Sequence, residues 1–228
     1  MAKIGYLGHS TFTIEMGGVR LITDPFITPN PLAQHIDFEA LKTDLILITH
    51  GHQDHTADLL KLAQQTNALV IASYEITTWL TKQGYEHSVG MNYGGTYNYN
   101  GLKIKVVSAQ HSSSFADGSY AGCACGYVLT YESDCVYFAG DTGLHLDMQL
   151  VGMQFDVKTT LMPIGDTFTM GYEDACTASD FVKCDRIIGM HFDTFPPIKI
   201  DKAAAKAYCQ SRNKELVLME IGEEKTFN

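Results

Sequence analysis

"ILITHGHQDHTADL", positions 46–59, places His50, His52, Asp54 and His55 directly after the unbroken apolar run Leu45–Ile48. A short apolar run of this kind reads as a buried strand, and the leucines that follow at helical spacing read as a helix. The four polar groups therefore sit at a strand-to-helix junction. Histidines at i and i+2 beyond a strand end can aim at one ion if the chain turns tightly, and Gly51 between them permits such a turn. Neutral imidazole suits zinc and the later first-row metals. Asp54 and His55 stand close enough to serve a second ion. An ion with three protein ligands keeps positions open for water, which is the arrangement of a catalytic site. A histidine-rich surface loop is the plain alternative, and the position at a strand end argues against it.

Four residues cannot complete two coordination shells, so the remaining ligands are sought downstream. His111 follows the apolar segment Lys103–Ser108, Asp141 follows "VYFAG", and His191 follows "RIIGM". Each lies just past the end of a predicted strand, and strand ends on one sheet edge converge on a crevice.

The flanking sequence supplies the frame. Lys3–Leu7, Thr11–Met16 and Val19–Thr23 read as strands, the last two joined by the Gly17–Gly18 turn. Thr56–Gln65 and Tyr74–Gln83 read as helices around a buried strand over Leu69–Ala72. β texture resumes at Lys103–Ser108, Gly122–Tyr131 and Cys135–Ala139, followed by buried strands at Thr159–Met162 and Ile187–Met190. Helices are expected over Tyr172–Val182 and Asp201–Arg212, with a closing strand over Leu216–Glu220. This order, β-rich and then βα, occurs twice. It predicts one domain over 1–228, with two similar sheets packed together and helices outside.

Composition narrows the function. The chain of 228 residues carries a formal net charge of −10, of which two divalent ions would offset about four. No Lys/Arg cluster offers a footprint for nucleic acid. No apolar run approaches the roughly 18 residues of a membrane span, and "MAKIGYLGHSTFTIEM" lacks the pattern of a signal peptide. The six cysteines, at 123, 125, 135, 176, 184 and 209, lack the C-x-x-C pairs of a structural zinc site. A cytoplasmic protein with reduced, buried thiols is expected.

The series H-x-H-x-D-H, then His, Asp and His, resembles the metallo-β-lactamase superfamily, and Asp24 in "LITDPF" matches its first motif. The stretches "YLGHSTF", "TDPFITPNPLA", "AGDTGLHLDMQLVG", "PIGDTFTMG" and "MHFDTFPPI" look most like the small metal-dependent hydrolases related to L-ascorbate-6-phosphate lactonase. The resemblance implies an α/β fold, a four-layer αββα sandwich, with two divalent ions between the sheets. These would be Zn2+, with Mn2+, Fe2+, Ni2+ and Co2+ as the other candidates. It assigns His50, His52 and His111 to one ion, Asp54, His55 and His191 to the other, and Asp141 to the bridge. Asp24 would orient a ligand from outside the coordination shell.

Departures within the superfamily refine the expectation. β-Lactamases of this fold carry Cys at the Asp141 position or lack the bridge. Di-iron oxygen-reducing members place a carboxylate where His52 stands, and nuclease branches carry extra segments. What remains is hydrolysis of an ester, lactone or phosphoester bond of a small, anionic molecule. The resemblance implies that a metal-bridging hydroxide does the chemistry, with Asp54 and Asp141 as the catalytic carboxylates. A phosphodiesterase or nuclease, and a non-catalytic ligand sensor, are the alternatives. The lactonase resemblance also implies a homo-oligomer.

Three further residues are candidates for contact with substrate: His9 in "LGHSTF", and Asp166 and Thr169 in the loop Gly165–Gly171. His145 is read as solvent-facing or loop-packing, and His35 and His87 as surface residues. Without metal, Asp54 and Asp141 are expected to repel one another.

Overall fold

Along Thr11–Met16 the side chains of Phe12, Ile14 and Met16 are buried, while Thr13 is half-buried and Glu15 exposed, the period of two that gives a sheet one core face. The computed structural model describes residues 1–227. β1 (Ala2–Gly8), β2 (Thr11–Met16) and β3 (Val19–Thr23) form an antiparallel meander. β4 (Leu45–Leu47), α1 (Gln53–Thr56), α2 (Leu59–Thr66), β5 (Leu69–Ser73), α3 (Tyr74–Lys82) and β6 (Ser88–Met91) follow. The second half runs β7 (Thr96–Tyr99), β8 (Leu102–Ser108), β9 (Cys125–Tyr131), β10 (Asp134–Phe138), α4 (Met148–Gln154) and β11 (Thr159–Pro163). It ends with α5 (Tyr172–Val182), β12 (Arg186–Met190), α6 (Lys202–Ser211), β13 (Glu215–Val217) and β14 (Glu224–Phe227).

Among the described residues, two sheets of seven strands result, in the orders β14-β1-β2-β3-β4-β5-β6 and β13-β12-β11-β10-β9-β8-β7. Their internal patterns match. In the first, pairing is antiparallel from β14 to β3 and parallel from β3 to β6. In the second it is antiparallel from β7 to β10 and parallel from β10 to β13. The last strand, β14, completes the first sheet by pairing with β1, with Ala2 opposite Phe227.

The layers follow from which faces are apolar. Ile4, Phe12, Leu21 and Leu45 meet Leu102, Tyr127, Phe138 and Leu161 between the sheets. Behind the first sheet, Ile46, Ile48 and Val70 pack on Leu59, Leu62 and Leu80 of α2 and α3. Behind the second, Tyr137, Met162 and Ile187 pack on Val151, Ala175, Val182 and Cys209 of α4, α5 and α6. Burying each large side chain stabilises the fold by roughly 1.5–3 kcal/mol. The architecture is the expected αββα sandwich. Among the described residues, no helix is long and apolar enough to cross a membrane.

Several segments differ from the expectation. The helix predicted over Thr56–Gln65 is broken at Asp58, whose backbone leaves the helical region (φ −101°, ψ 2°). The Asp58 carboxylate turns away to accept hydrogen bonds from Ile27 N and Thr28 N at 2.7 and 2.8 Å, and so holds the Pro/Asn loop after Asp24. The strand predicted over Leu216–Glu220 ends early, as β13 (Glu215–Val217), and an unpredicted strand, β14, follows a turn at Gly222 (φ 91°). Gly122–Tyr131 becomes strand only from Cys125. β6, β7 and α4 were not anticipated. The first two are half-exposed edge strands with little apolar alternation, and α4 contains Gly152. That glycine allows close packing, since a Cβ there would come within 2.3 Å of Phe181 O on α5. Five of the six cysteines are buried as free thiols and Cys123 is exposed.

Candidate metal centre

The strand ends on one side of the sandwich deliver the polar residues. His9 follows β1, Asp24 follows β3, and the 50–55 cluster follows β4. His111, Asp141 and His191 follow β8, β10 and β12. Three of these residues, His9, Asp24 and His191, have left-handed backbones, with φ of 56°, 37° and 54°, and Gly140 (φ 65°) precedes Asp141. Such conformations cost a non-glycine residue about 1–3 kcal/mol and persist only where the surroundings enforce them. At Gly51, expected to permit a tight turn, the backbone is not left-handed, and glycine is required there for space. A Cβ there would lie 2.2 Å from the Ala121 side chain and 3.2 Å from Ser114 O.

His50, His52 and His111 converge, offering one nitrogen each within 4.8 Å of one another. His50 Nε2 and His52 Nδ1 are 2.9 Å apart, and Thr49 Oγ1 lies 3.0 Å from His50 Nδ1. Asp54, His55, His191 and His9 form a second group at the same spacing, and His50, His55 and Asp141 a third. Asp141 belongs with both sides. Its Oδ2 is 2.9 Å from His191 Nε2, 3.3 Å from His55 Nε2 and 3.7 Å from His111 Nε2.

Three buried atoms of this cluster have no hydrogen-bond partner: His55 Nε2, Asp141 Oδ1 and His191 Nδ1. The 3.3 Å approach of His55 Nε2 to Asp141 is an ion-pair contact without hydrogen-bond alignment. A buried polar atom left unmade costs about 1–3 kcal/mol. Several such atoms among histidines and carboxylates fit a site that holds cations, and the donor set, imidazole with carboxylate, suits divalent first-row metals.

Asp24 lies behind this layer, fully buried. It accepts from Thr49 N and Thr49 Oγ1 at 2.8 and 2.7 Å and from His55 Nδ1 at 2.8 Å. The His55 ring is thereby fixed with Nδ1–H on Asp24 and Nε2 facing the cluster.

Electrostatics follow the packing. Burial, then the neighbouring His55, holds His50 well below the usual imidazole range. Burial likewise lowers His52 and His111. Burial opposes a charge on His55 too, but Asp141 and Asp24 outweigh it, and its pKa stands well above the ordinary value. For Asp141, burial is outweighed by His191 and His55, which hold the carboxyl well below its ordinary value. Asp54 is also depressed; burial is outweighed there by the hydrogen bond from His9 and by His55.

The three residues expected to meet substrate differ in exposure. His9 is buried beneath Asp54, its side chain without solvent exposure, so it does not line an open pocket. Asp166 is exposed and Thr169 half-buried, in the loop after β11. Their hydrogen bonds run within the loop: Thr167 N donates to Asp166 Oδ1 at 2.7 Å, Asp166 N to Met170 O at 3.0 Å, and Thr169 Oγ1 to Met170 O at 3.4 Å. His145 is buried in the loop beyond Asp141, while His35 and His87 are on the surface. Thr49, Asp58 and Thr194 were missed. No sequence pattern marks them, because their importance arises from contacts with residues far along the chain.

The comparisons with known proteins agree with this geometry. Residues 3–191 match the β-lactamase superfamily domain. A "UPF0173 metal-dependent hydrolase" of Flavobacterium johnsoniae is 45% identical over 221 residues, 97% of this chain and 98% of the relative. One from Methylacidiphilum infernorum is 43% identical with the same coverage. Among solved structures, a metallo hydrolase from the hyperthermophilic archaeon Ignicoccus hospitalis superposes with a TM-score of 0.90 at 36% identity, over 100% of this chain and 98% of its own. The chain belongs to the metallo-β-lactamase superfamily and, within it, to the UPF0173 family of metal-dependent hydrolases.

Proposed function

We propose that the cluster holds two divalent cations, with Zn2+ the best match to its donors, and that the chain hydrolyses an ester, lactone or phosphoester bond of a small, anionic molecule. His50, His52 and His111 would hold one ion, and Asp54, His55 and His191 the other. Asp141 would lie between them. The observation that carries this reading is the position of Asp141 Oδ2, one oxygen facing His191, His55 and His111 together. Ions held there supply Lewis acidity and acidify water.

The chain's own groups divide the remaining work. Asp141, with its side chain 2% exposed, is too enclosed to meet a substrate and serves the ions alone. Asp54, at 26%, is the carboxylate open to the mouth of the site, and it is the group placed to orient an attacking water. Asp24 and Thr49 hold the rings of His55 and His50 in one orientation. We place the reaction in the cytoplasm, where the five buried thiols would stay reduced.

The test pairs elemental analysis with a panel of lactones, phosphodiesters and thioesters, assayed on protein reconstituted with Zn2+ or Mn2+. Two ions per chain and metal-dependent turnover of a lactone or ester support the reading. Fewer than one ion, with no uptake on reconstitution, overturns it. Turnover confined to phosphodiesters would make the chain a phosphodiesterase.

A further inference from the structure

We propose that Thr194 and His9 form a hydrogen-bonded chain that positions Asp54, which makes both of them positioning residues of the metal centre. The proposal rests on the metal-binding reading above and adds two residues that the ligand pattern does not contain.

Thr194 Oγ1 is 3.0 Å from His9 Nδ1, and His9 Nε2 is 3.0 Å from Asp54 Oδ2. The Asp54 carboxylate can only accept, so Nε2 carries the hydrogen. In the neutral ring Nδ1 is then an acceptor, and the Thr194 hydroxyl donates to it. The competing acceptor for that hydroxyl, Phe192 O, is farther away at 3.4 Å. Thr194 thus selects the tautomer of His9, and His9 holds Asp54.

Asp54 has little else to hold it. The other approaches to its Oδ2, from His55 Nε2 and His191 Nε2, are 3.9 and 3.8 Å, too long for hydrogen bonds. Asp54 stands on α1, a helix of four residues, with a partly exposed side chain. His9, in contrast, is fixed on every side. Its carbonyl accepts from His191 N at 3.0 Å and Tyr6 OH at 3.3 Å. Its ring lies 4.1 Å from the His191 ring, centroid to centroid, with Phe26 and Phe195 edge-on at 5.6 and 5.5 Å. A ring so enclosed acts on chemistry only through the group it touches. It is also the contact through which the ends of β1 and β12, one from each sheet, share control of one carboxylate.

The experiment measures Co2+ binding by competition with a chromophoric chelator, and the visible spectrum of the Co2+ protein, for the native chain, Thr194→Val, Thr194→Ser and His9→Gln. Thr194→Val keeps the shape and removes the hydroxyl. It is expected to weaken one of two ions by about 10–100-fold, to leave the other within about twofold, and to shift the spectrum, the magnitude usual for lost outer-shell partners. Thr194→Ser, which restores the hydroxyl, is expected to recover native affinity, and His9→Gln, whose amide keeps a donor, to recover part of it. Melting of the chelator-treated proteins serves as the control for folding. Native affinity and spectrum in Thr194→Val overturn the assignment, and so does equal weakening of both ions with a lower melting temperature that serine fails to rescue. A native chain that takes up no Co2+ would overturn the metal reading itself, a different failure from two ions bound alike by native and valine proteins.

Discussion

Asp24 Oδ2 accepts from His55 Nδ1 at 2.8 Å, and the same carboxylate accepts from both the backbone and the hydroxyl of Thr49. One buried carboxylate therefore orients His55 directly and His50 through Thr49. Asp24→Asn replaces one of its oxygens with a donor, which cannot serve these three hydrogen-bond donors. Metal affinity in that variant is expected to fall about 10–100-fold. Competition with a chelator measures it, and unchanged affinity would show that packing alone sets the two rings.

The raised pKa of His55 makes metal loading a proton exchange. Asp141 and Asp24, overcoming burial, hold its pKa well above 6.5, so the metal-free ring is protonated at neutral pH. A cation taking Nε2 must expel that proton. Loading at pH 7 in weak buffer is expected to release about one proton per chain from this ring, read with an indicator dye. The sign for stability follows. A group with a raised folded pKa contributes fully below its unfolded value, 6.5, and loses that contribution as pH climbs through the folded value. Chelator-treated protein should therefore melt at lower temperature as the solution is made alkaline, and metal-loaded protein should resist the change.

Asp141→Asn keeps the shape and removes the charge between two cations whose repulsion is large at about 3.5–4 Å. One ion should remain and the second bind poorly. Turnover of a verified substrate should drop by several orders of magnitude. Two tightly held ions with full turnover would falsify the bridging role. In the metal-free chain Asp141 does repel Asp54, as expected, but neighbouring histidines outweigh that repulsion. His191 and His55 outweigh burial and depress the Asp141 pKa, so its charge stabilises the fold above the usual carboxylate range and is lost as acid is added. The metal-free Asn variant should thus melt below the native chain at neutral pH.

Tyr127, on β9, donates to Ile48 O at 2.7 Å, tying the second sheet to the chain leading into His50. Tyr127→Phe leaves that carbonyl without its hydroxyl partner, at a cost of about 1–3 kcal/mol. Urea unfolding should show this as a lower midpoint with an unchanged slope. An unchanged midpoint would mean that water or a shifted side chain replaces the hydroxyl.

The sandwich was legible because its strands are apolar runs or regular alternations. β2, β3 and α5 have the predicted bounds, Thr11–Met16, Val19–Thr23 and Tyr172–Val182. Polar residues at the ends of such runs pointed to one crevice, and the structure brings His50, His52, His111, Asp54, His55, Asp141 and His191 together there. What escaped depends on distance in sequence. Nothing around Asp58 announces that its carboxylate caps a loop about 30 residues upstream. Nothing around Thr194 announces His9, 185 residues away. His9 was singled out, but its lack of exposure is a property of the packed sheets and of Phe26 and Phe195 around it.

The left-handed backbones of His9, Asp24 and His191 also bear on how this chain can diversify. A β-branched replacement at any of the three meets steric resistance as well as losing a polar contact. A lineage acquiring a new substrate has little freedom at these strand ends. The exposed turn around Asp117 differs: its left-handed residue is a glycine, Gly118, and Ser119 N and Oγ bond Asp117 locally. Libraries randomised in that turn should yield far more folded, metal-retaining variants than libraries of equal size at positions 9, 24 and 191. Sequence divergence among specificities should then concentrate in such turns while the crevice floor stays constant.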